Sequence, residues 1–274
     1  MGQITQRLVI AGLGLIGGSI AMAARRARPD LPIAAWDEEH VLRDGVSQGA
    51  IDETCRPDDL RGGDLFVLAA PPHASLFLLD GLGGLPADVL VTDAVSVKRV
   101  VVEAAVAKGL SFVGGHPMAG SEQRGLAHAR ADLFDGRRWF LVDAGAGDGA
   151  NDAVEQFVAA LGARPEWIDA LEHDRRMAAL SHLPQVTATA LMTVAARLAG
   201  ESNLDLAGTG LRDTTRLAAS DPELWSEIAA ANGPELSKAV RLLREELERA
   251  QKALDAAEPL NAFFESGRRR RSKL

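Results

Sequence analysis

Three groups of residues in this chain have the types and spacing that chemistry needs. The first is Gly12-x-Gly14-x-x-Gly17. Between a strand and a helix, its first glycine permits a tight turn and its second lets the backbone approach a pyrophosphate. The third lets helix and strand pack closely, with the helix N-terminus facing the phosphates. Asp37 lies 20 residues after Gly17. A carboxylate there accepts hydrogen bonds from the ribose hydroxyls of NAD and repels the 2′-phosphate of NADP. The other reading of Asp37 is a turn or helix cap ahead of Glu38 and Glu39. The expected cofactor is NAD, and the expected contacts are Gly12, Gly14, Leu15, Ile16, Gly17, Asp37 and Ala70.

The second group centres on His116, within Gly114-Gly115-His116-Pro117-Met118-Ala119-Gly120-Ser121-Glu122. Taking a hydride from an alcohol carbon also requires removing the hydroxyl proton, and histidine titrates near neutral pH. His116 is therefore the candidate base; the alternative is a loop histidine that bonds only backbone. Ser96, in Thr92-Asp93-Ala94-Val95-Ser96-Val97-Lys98, could bind the same hydroxyl or cap a helix starting at Val97. His40, His73, His128 and His173 have no comparable setting, and no set of His, Cys and acidic residues has metal-ligand spacing.

The third group lies in the second half. Ser181-His182-Leu183-Pro184-Gln185 interrupts a helical pattern with proline, and Gln185 can share a face with His182. Gly208-Thr209-Gly210-Leu211-Arg212-Asp213-Thr214-Thr215-Arg216 offers a glycine turn followed by two arginines. An arginine fork suits a substrate carboxylate, but it can equally serve a structural ion pair with Asp213 or Asp221.

These groups need a frame. Apolar runs at Arg7–Ala11, Ile33–Trp36, Leu65–Ala69, Val89–Thr92, Ser111–Val113 and Arg138–Val142, with a short one near Arg164–Ile168, alternate with amphipathic stretches. Helices are expected at Gly17–Arg26, Val97–Lys108 and Asp152–Leu161. The alternation predicts βαβ units, a parallel sheet and an α/β Rossmann-type domain over 1–169. Its ligands bind beyond the carboxyl ends of the strands, where the three polar clusters fall, the third being Ala69-Ala70-Pro71-Pro72-His73. From 170 to 274 helical patterns replace strands, predicting an all-α second domain. Leu236, Val240, Leu243, Leu247, Ala250 and Leu254 form a heptad seam that needs a partner helix, in the same domain or in another subunit. Ser220-Asp221-Pro222-Glu223 reads as a capping box that starts a helix.

Bulk composition narrows the function. The 274 residues are 47% hydrophobic and 25% charged, with net charge −8. That balance argues against nucleic acid or an anionic membrane as partner. A single cysteine, Cys55, fits a reducing compartment, and the expected location is cytoplasmic. The uncharged run Leu8–Ala24 resembles a leader, but four glycines interrupt it and it is short for a membrane span. Ser272-Lys273-Leu274 resembles a peroxisomal address and reads more simply as the end of a basic tail.

Taken together, GLGLIGGS, DAVSVK, GGHPMAGSE, SHLPQ and LRDTTRLAASDPELW occur in an order that resembles the prephenate/arogenate dehydrogenase family of tyrosine biosynthesis. The resemblance spans nearly the whole chain. It implies an oxidative decarboxylation in which prephenate or arogenate gives a C4 hydride to NAD and loses its ring carboxylate as carbon dioxide. Carried onto this chain, His116 accepts the 4-hydroxyl proton, Ser96 orients that hydroxyl and Arg216 binds a carboxylate. Ser121, Glu122, Gln185 and Trp225 are the further substrate contacts. The family also implies a dimer formed through the helical domain, and no regulatory or mutase segment is expected here. Many members read SHLPH, so Gln185 stands where a second histidine would. That leaves open how the substrate side chain is held, and with it the choice between keto acid and amino acid. Two other readings are a β-hydroxyacid dehydrogenase and a non-catalytic NAD sensor. The first would need a lysine in the helical domain, and none occurs between Lys108 and Lys238.

Overall fold

The computed structural model describes residues 5–120 and 123–273. The expected contacts Ser121 and Glu122, and the terminal Leu274, lie outside the described residues. Strands β1 (Arg7–Ala11), β2 (Ile33–Trp36), β3 (Glu53–Thr54), β4 (Asp64–Leu68), β5 (Leu90–Asp93), β6 (Phe112–Pro117), β7 (Arg138–Asp143) and β8 (Arg164–Trp167) form one sheet. Their spatial order is β3-β2-β1-β4-β5-β6-β7-β8. The apolar runs form central strands because both faces are covered. Leu8 and Ile10 of β1 join one core, while Val9 and Ala11 join the other. Helices α1 (Leu15–Ala27) and α2 (Glu39–Ser47) contribute Ile20 and Leu42 to the first core. Helices α3 (Pro72–Gly81) and α4 (Arg99–Ala107) contribute Leu79 and Val101 to the second, and α5 (Asp148–Ala160) returns to the first with Val154 and Phe157. The chain reverses its direction of growth between β1 and β4, which opens a crevice at the carboxyl ends of those strands.

The structure corrects three expectations here. The sheet is not wholly parallel, because β7 runs antiparallel to β6 and β8 follows β7. The two-residue β3 is exposed and too short to leave a sequence pattern. Strand β6 continues through His116 and Pro117, so His116 stands on a strand end rather than in a loop.

The second half comprises α6 (Ala170–Met177), α7 (Leu183–Ala199), α8 (Thr209–Thr215), α9 (Pro222–Ala231), α10 (Gly233–Asp255) and α11 (Asn261–Arg271). Pro184 does not end the helical path. It sits in the first turn of α7, where its missing N–H is not needed, after a five-residue wide turn, Ala178–His182, that continues α6. Helix α9 begins as expected, but its cap is Asp221 rather than Ser220, accepting from the backbone N–H groups of Glu223 and Leu224. Ile228 of α9 belongs to the second core of the sheet, so the helical half packs directly on the first half. Along α10 the seam is buried at Leu236 and exposed at Val240 (37%), Leu247 (58%) and Leu254 (63%), with Leu243 and Ala250 half-buried between them. No helix among the described residues is long and apolar enough to cross a membrane.

Candidate active site

The glycine loop has the shape its spacing predicts. Gly12 has φ +95°, and a side chain there would meet the backbone of Ala69 and Ala70 at the end of β4. A Cβ on Gly17 would lie 1.8 Å from the carbonyl oxygen of Gly12. Gly14 differs, because a Cβ there would enter open space. Helix α1 starts at that point with no side-chain cap and no acidic residue in its first turn. Its free N–H groups and positive dipole end are therefore open to an anion, and the loop fits a pyrophosphate. Leu15 and Ile16 form the half-buried first turn, and Ala70 lies beside Gly12. Asp37 does not cap α2, which begins at Glu39 behind an uncapped Glu38. Its carboxylate accepts from the N–H of Leu13 at 2.5 Å and from that of Glu38 at 2.6 Å. It thereby ties the loop to the end of β2 with lone pairs to spare for ribose hydroxyls.

His116 is buried at the end of β6, beside a partner that no sequence pattern marks. Its Nδ1 lies 2.8 Å from Nε2 of His173, whose own Nδ1 lies 2.8 Å from the Asp174 carboxylate. His173, on α6, thus has a setting as specific as that of His116, against the sequence reading. The same Asp174 carboxylate accepts the N–H groups of Lys98 and Arg99 and so caps α4 across the two halves of the chain. Ser96 is therefore not the cap of this helix, which begins at Arg99. It occupies the half-buried bend between β5 and α4.

Electrostatics fix the direction of this chain of bonds. Burial opposes charge on Asp174, but the bonds from His173, Lys98 and Arg99 hold its pKa below the usual carboxylate value. The ionised carboxylate requires a hydrogen on His173 Nδ1, leaving His173 Nε2 as an acceptor. His116 must then donate from Nδ1, which leaves the lone pair on its Nε2, outside the chain of bonds. Burial, followed by His173 and Lys98, pushes the His116 pKa well below 6.5, so it is neutral at pH 7.

Beneath the two histidines lies an ion pair between Lys98 and Asp93, both fully buried. Asp93 also accepts the N–H groups of Val95 and Gly115, locking the bend that carries Ser96 to the strand that carries His116. Burial drives the Asp93 pKa up and the Lys98 pKa down, with each partner opposing the shift. No group of three or more His, Cys, Asp and Glu suited to a metal occurs among the described residues.

The residues expected on the substrate side lie largely in the helical half. Arg216 is exposed at the start of a 3-10 turn, Arg216–Ala219. Asp221 forms an ion pair with Arg124 of the sheet domain. The amide of Gln185 donates to the Leu217 carbonyl at 2.8 Å, and the Trp225 ring meets the His182 ring edge-on. Asn232 donates to the Asp174 carbonyl and to His182 Nδ1. His173, Asp174, Lys98 and Asn232 are the site residues that sequence reasoning missed. The only sequence signal for the first two was an imidazole next to a carboxylate.

Two family models match. Residues 20–166 match "Prephenate dehydrogenase, nucleotide-binding domain" and residues 169–265 match "Prephenate dehydrogenase, dimerization domain". The prephenate dehydrogenase of Lactococcus lactis subsp. cremoris is 31% identical over 289 residues, covering 98% of this chain and 77% of the relative. Among solved structures, A. aeolicus prephenate dehydrogenase in complex with hydroxyphenyl propionate and NAD+ superposes with a TM-score of 0.89. It is 28% identical, with 98% of each chain covered. Synechocystis arogenate dehydrogenase gives a TM-score of 0.81 at 25% identity, covering 97% of this chain and 99% of that one.

Proposed function

The chain belongs to the prephenate dehydrogenase family, and from that premise we propose that it catalyses NAD-dependent oxidative decarboxylation of prephenate or arogenate, yielding 4-hydroxyphenylpyruvate or tyrosine. One observation carries the reading: the His116–His173–Asp174 chain holds a neutral imidazole at the strand end with the Nε2 lone pair outside that chain of bonds. A solved relative that holds hydroxyphenyl propionate and NAD+ together supports it.

Bound NAD, seated on Gly12, Gly14, Leu15, Ile16, Gly17, Asp37 and Ala70, supplies the hydride acceptor. His116 takes the 4-hydroxyl proton at Nε2 while Ser96 orients that hydroxyl. Electron density released on the oxygen drives hydride out of C4, and the C1–carboxylate bond breaks as its electron pair enters the ring. Carbon dioxide leaves, the ring becomes aromatic, and the phenolate oxygen at C4 takes the proton back from His116 to give the phenol. The positive charge formed on His116 is met by the His173 acceptor and, behind it, by the Asp174 carboxylate, an arrangement of base and orienting group that keeps one tautomer in place. Arg216 binds a carboxylate of the substrate, with Gln185, Trp225, Ser121 and Glu122 around it. The part-exposed α10 seam fits a second copy of the chain, giving a homodimer. The acidic chain acts in the cytoplasm on small molecules rather than on nucleic acid or lipid. NADH formation coupled one-to-one to carbon dioxide release from either acid tests the proposal; no turnover of either by folded protein overturns it.

A further inference from the structure

A cavity of about 440 Å³ lies in the helical half, walled by His182, Gln185, Thr189, Ala218, Ser220 and Trp225 among others. This is ample for the end group of a small substrate. Two of its wall residues each leave one buried polar atom without a partner: His182 Nε2 and Gln185 Oε1. These residues are 1% and 6% exposed. Unpaired polar atoms this deep are uncommon and costly, so what would satisfy them identifies a ligand.

The chemistry of both atoms is forced by their neighbours. The Leu217 carbonyl can only accept, so the Gln185 amide must turn its nitrogen there, leaving Oε1 as an acceptor. The Asp174 carbonyl likewise fixes the nitrogen of the Asn232 amide, which then also donates to His182 Nδ1 at 3.2 Å. His182 must therefore accept at Nδ1 and carry its hydrogen on Nε2. Burial pushes its pKa down to about 4, so the ring stays neutral at pH 7. The wall of the cavity thus holds one buried donor and one buried acceptor without partners, three residues apart on the same helical path. No residue lining it carries a formal charge at pH 7.

We infer that this cavity receives an α-ammonium-carboxylate group, making the chain selective for arogenate over prephenate. The inference rests on the dehydrogenase reading above. A carboxylate accepts from His182 Nε2, and only the ammonium can donate to Gln185 Oε1. An α-keto-carboxylate offers acceptors alone and leaves Gln185 Oε1 unsatisfied. It also brings a net negative end to uncharged walls, whereas the ammonium-carboxylate end is neutral overall. Sites built around a substrate N–H discriminate strongly against analogues that lack it.

The test compares kcat/KM for arogenate and prephenate, each with NAD, in the wild type, Gln185→Met and Gln185→Glu. The wild type is expected to favour arogenate by roughly tenfold or more. Gln185→Met should remove about tenfold more from kcat/KM for arogenate than from that for prephenate. Gln185→Glu, which keeps the acceptor, should retain the preference. Equal use of the two acids, a preference for prephenate, or an equal loss on both in Gln185→Met overturns the inference while leaving the dehydrogenase reading intact. Calorimetric binding of tyrosine and 4-hydroxyphenylpyruvate to the NAD-loaded protein needs no turnover. Tighter binding of tyrosine, weakened in Gln185→Met, supports the head-group assignment even if neither acid is oxidised; equal binding refutes it.

Discussion

The two rims of the sheet make a useful contrast. At the amino ends of the strands, Arg7 of β1 forms a two-pronged ion pair with Asp64 of β4. It also donates to Glu53 and to the Asp59 carbonyl. Every prong of that guanidinium has an acceptor within the protein, and the carboxylate beside it is buried. At the carboxyl ends, Lys98, Asp93, His173 and Asp174 are also buried and bonded, yet the network leads through Asn232 to His182 Nε2, which meets no hydrogen-bond partner among the described residues. Burial is similar on the two rims, and the difference lies in saturation. A closed network holds strands in register, whereas an open one waits for a ligand to finish it.

Breaking the open rim should give the largest effect. His116→Asn is expected to lower kcat by about 10²- to 10⁴-fold with NAD affinity nearly unchanged, as seen by steady-state kinetics beside a direct NAD titration. On the closed rim, Asp64→Asn strands a buried guanidinium and should cost about 3–5 kcal/mol in denaturant unfolding, while the folded fraction keeps its kcat. A large kcat loss there would erase the distinction between the rims. His173→Asn should reduce kcat by roughly tenfold to a hundredfold at unchanged NAD affinity, since His173 positions the base without touching the reacting atoms. The base acts when deprotonated, so activity disappears as pH falls through its pKa. With that pKa well below 6.5, wild-type kcat/KM should hold through pH 6.5 and decline only at lower pH. The smallest effect belongs to Gly14→Ala. Its Cβ enters open space, so Tm should be retained while the KM for NAD rises roughly tenfold.

Much of this was legible before any coordinates. The glycine spacing, Asp37 and the alternating apolar runs specify the sheet domain because they are local patterns with one physical solution each. The helix start near Pro222 was equally local. What the sequence concealed was made by chain segments meeting across the fold. His173 is ordinary until α6 sets it against His116, and the α4 cap could not be assigned to Asp174 from a stretch that contains Ser96. The direction of β7 was also hidden, because buried strands of either sense read as the same apolar run. Pro184 misled for a related reason: a proline in a first helical turn has the same letters around it as one that breaks a helix.

Two helix caps run from the second half of the chain to the first. Asp174 holds the start of α4, and Glu227 of α9 accepts the N–H of His73 in the first turn of α3. Each such cap is worth about 0.5–2 kcal/mol. The sheet domain therefore reaches its finished form only after the helices have docked, and the same contact that seats Asp174 delivers His173 to His116. Assembly and competence become a single event. A chain whose helices have not docked lacks the His173 contact that orients His116, so the base is set only in the completed molecule.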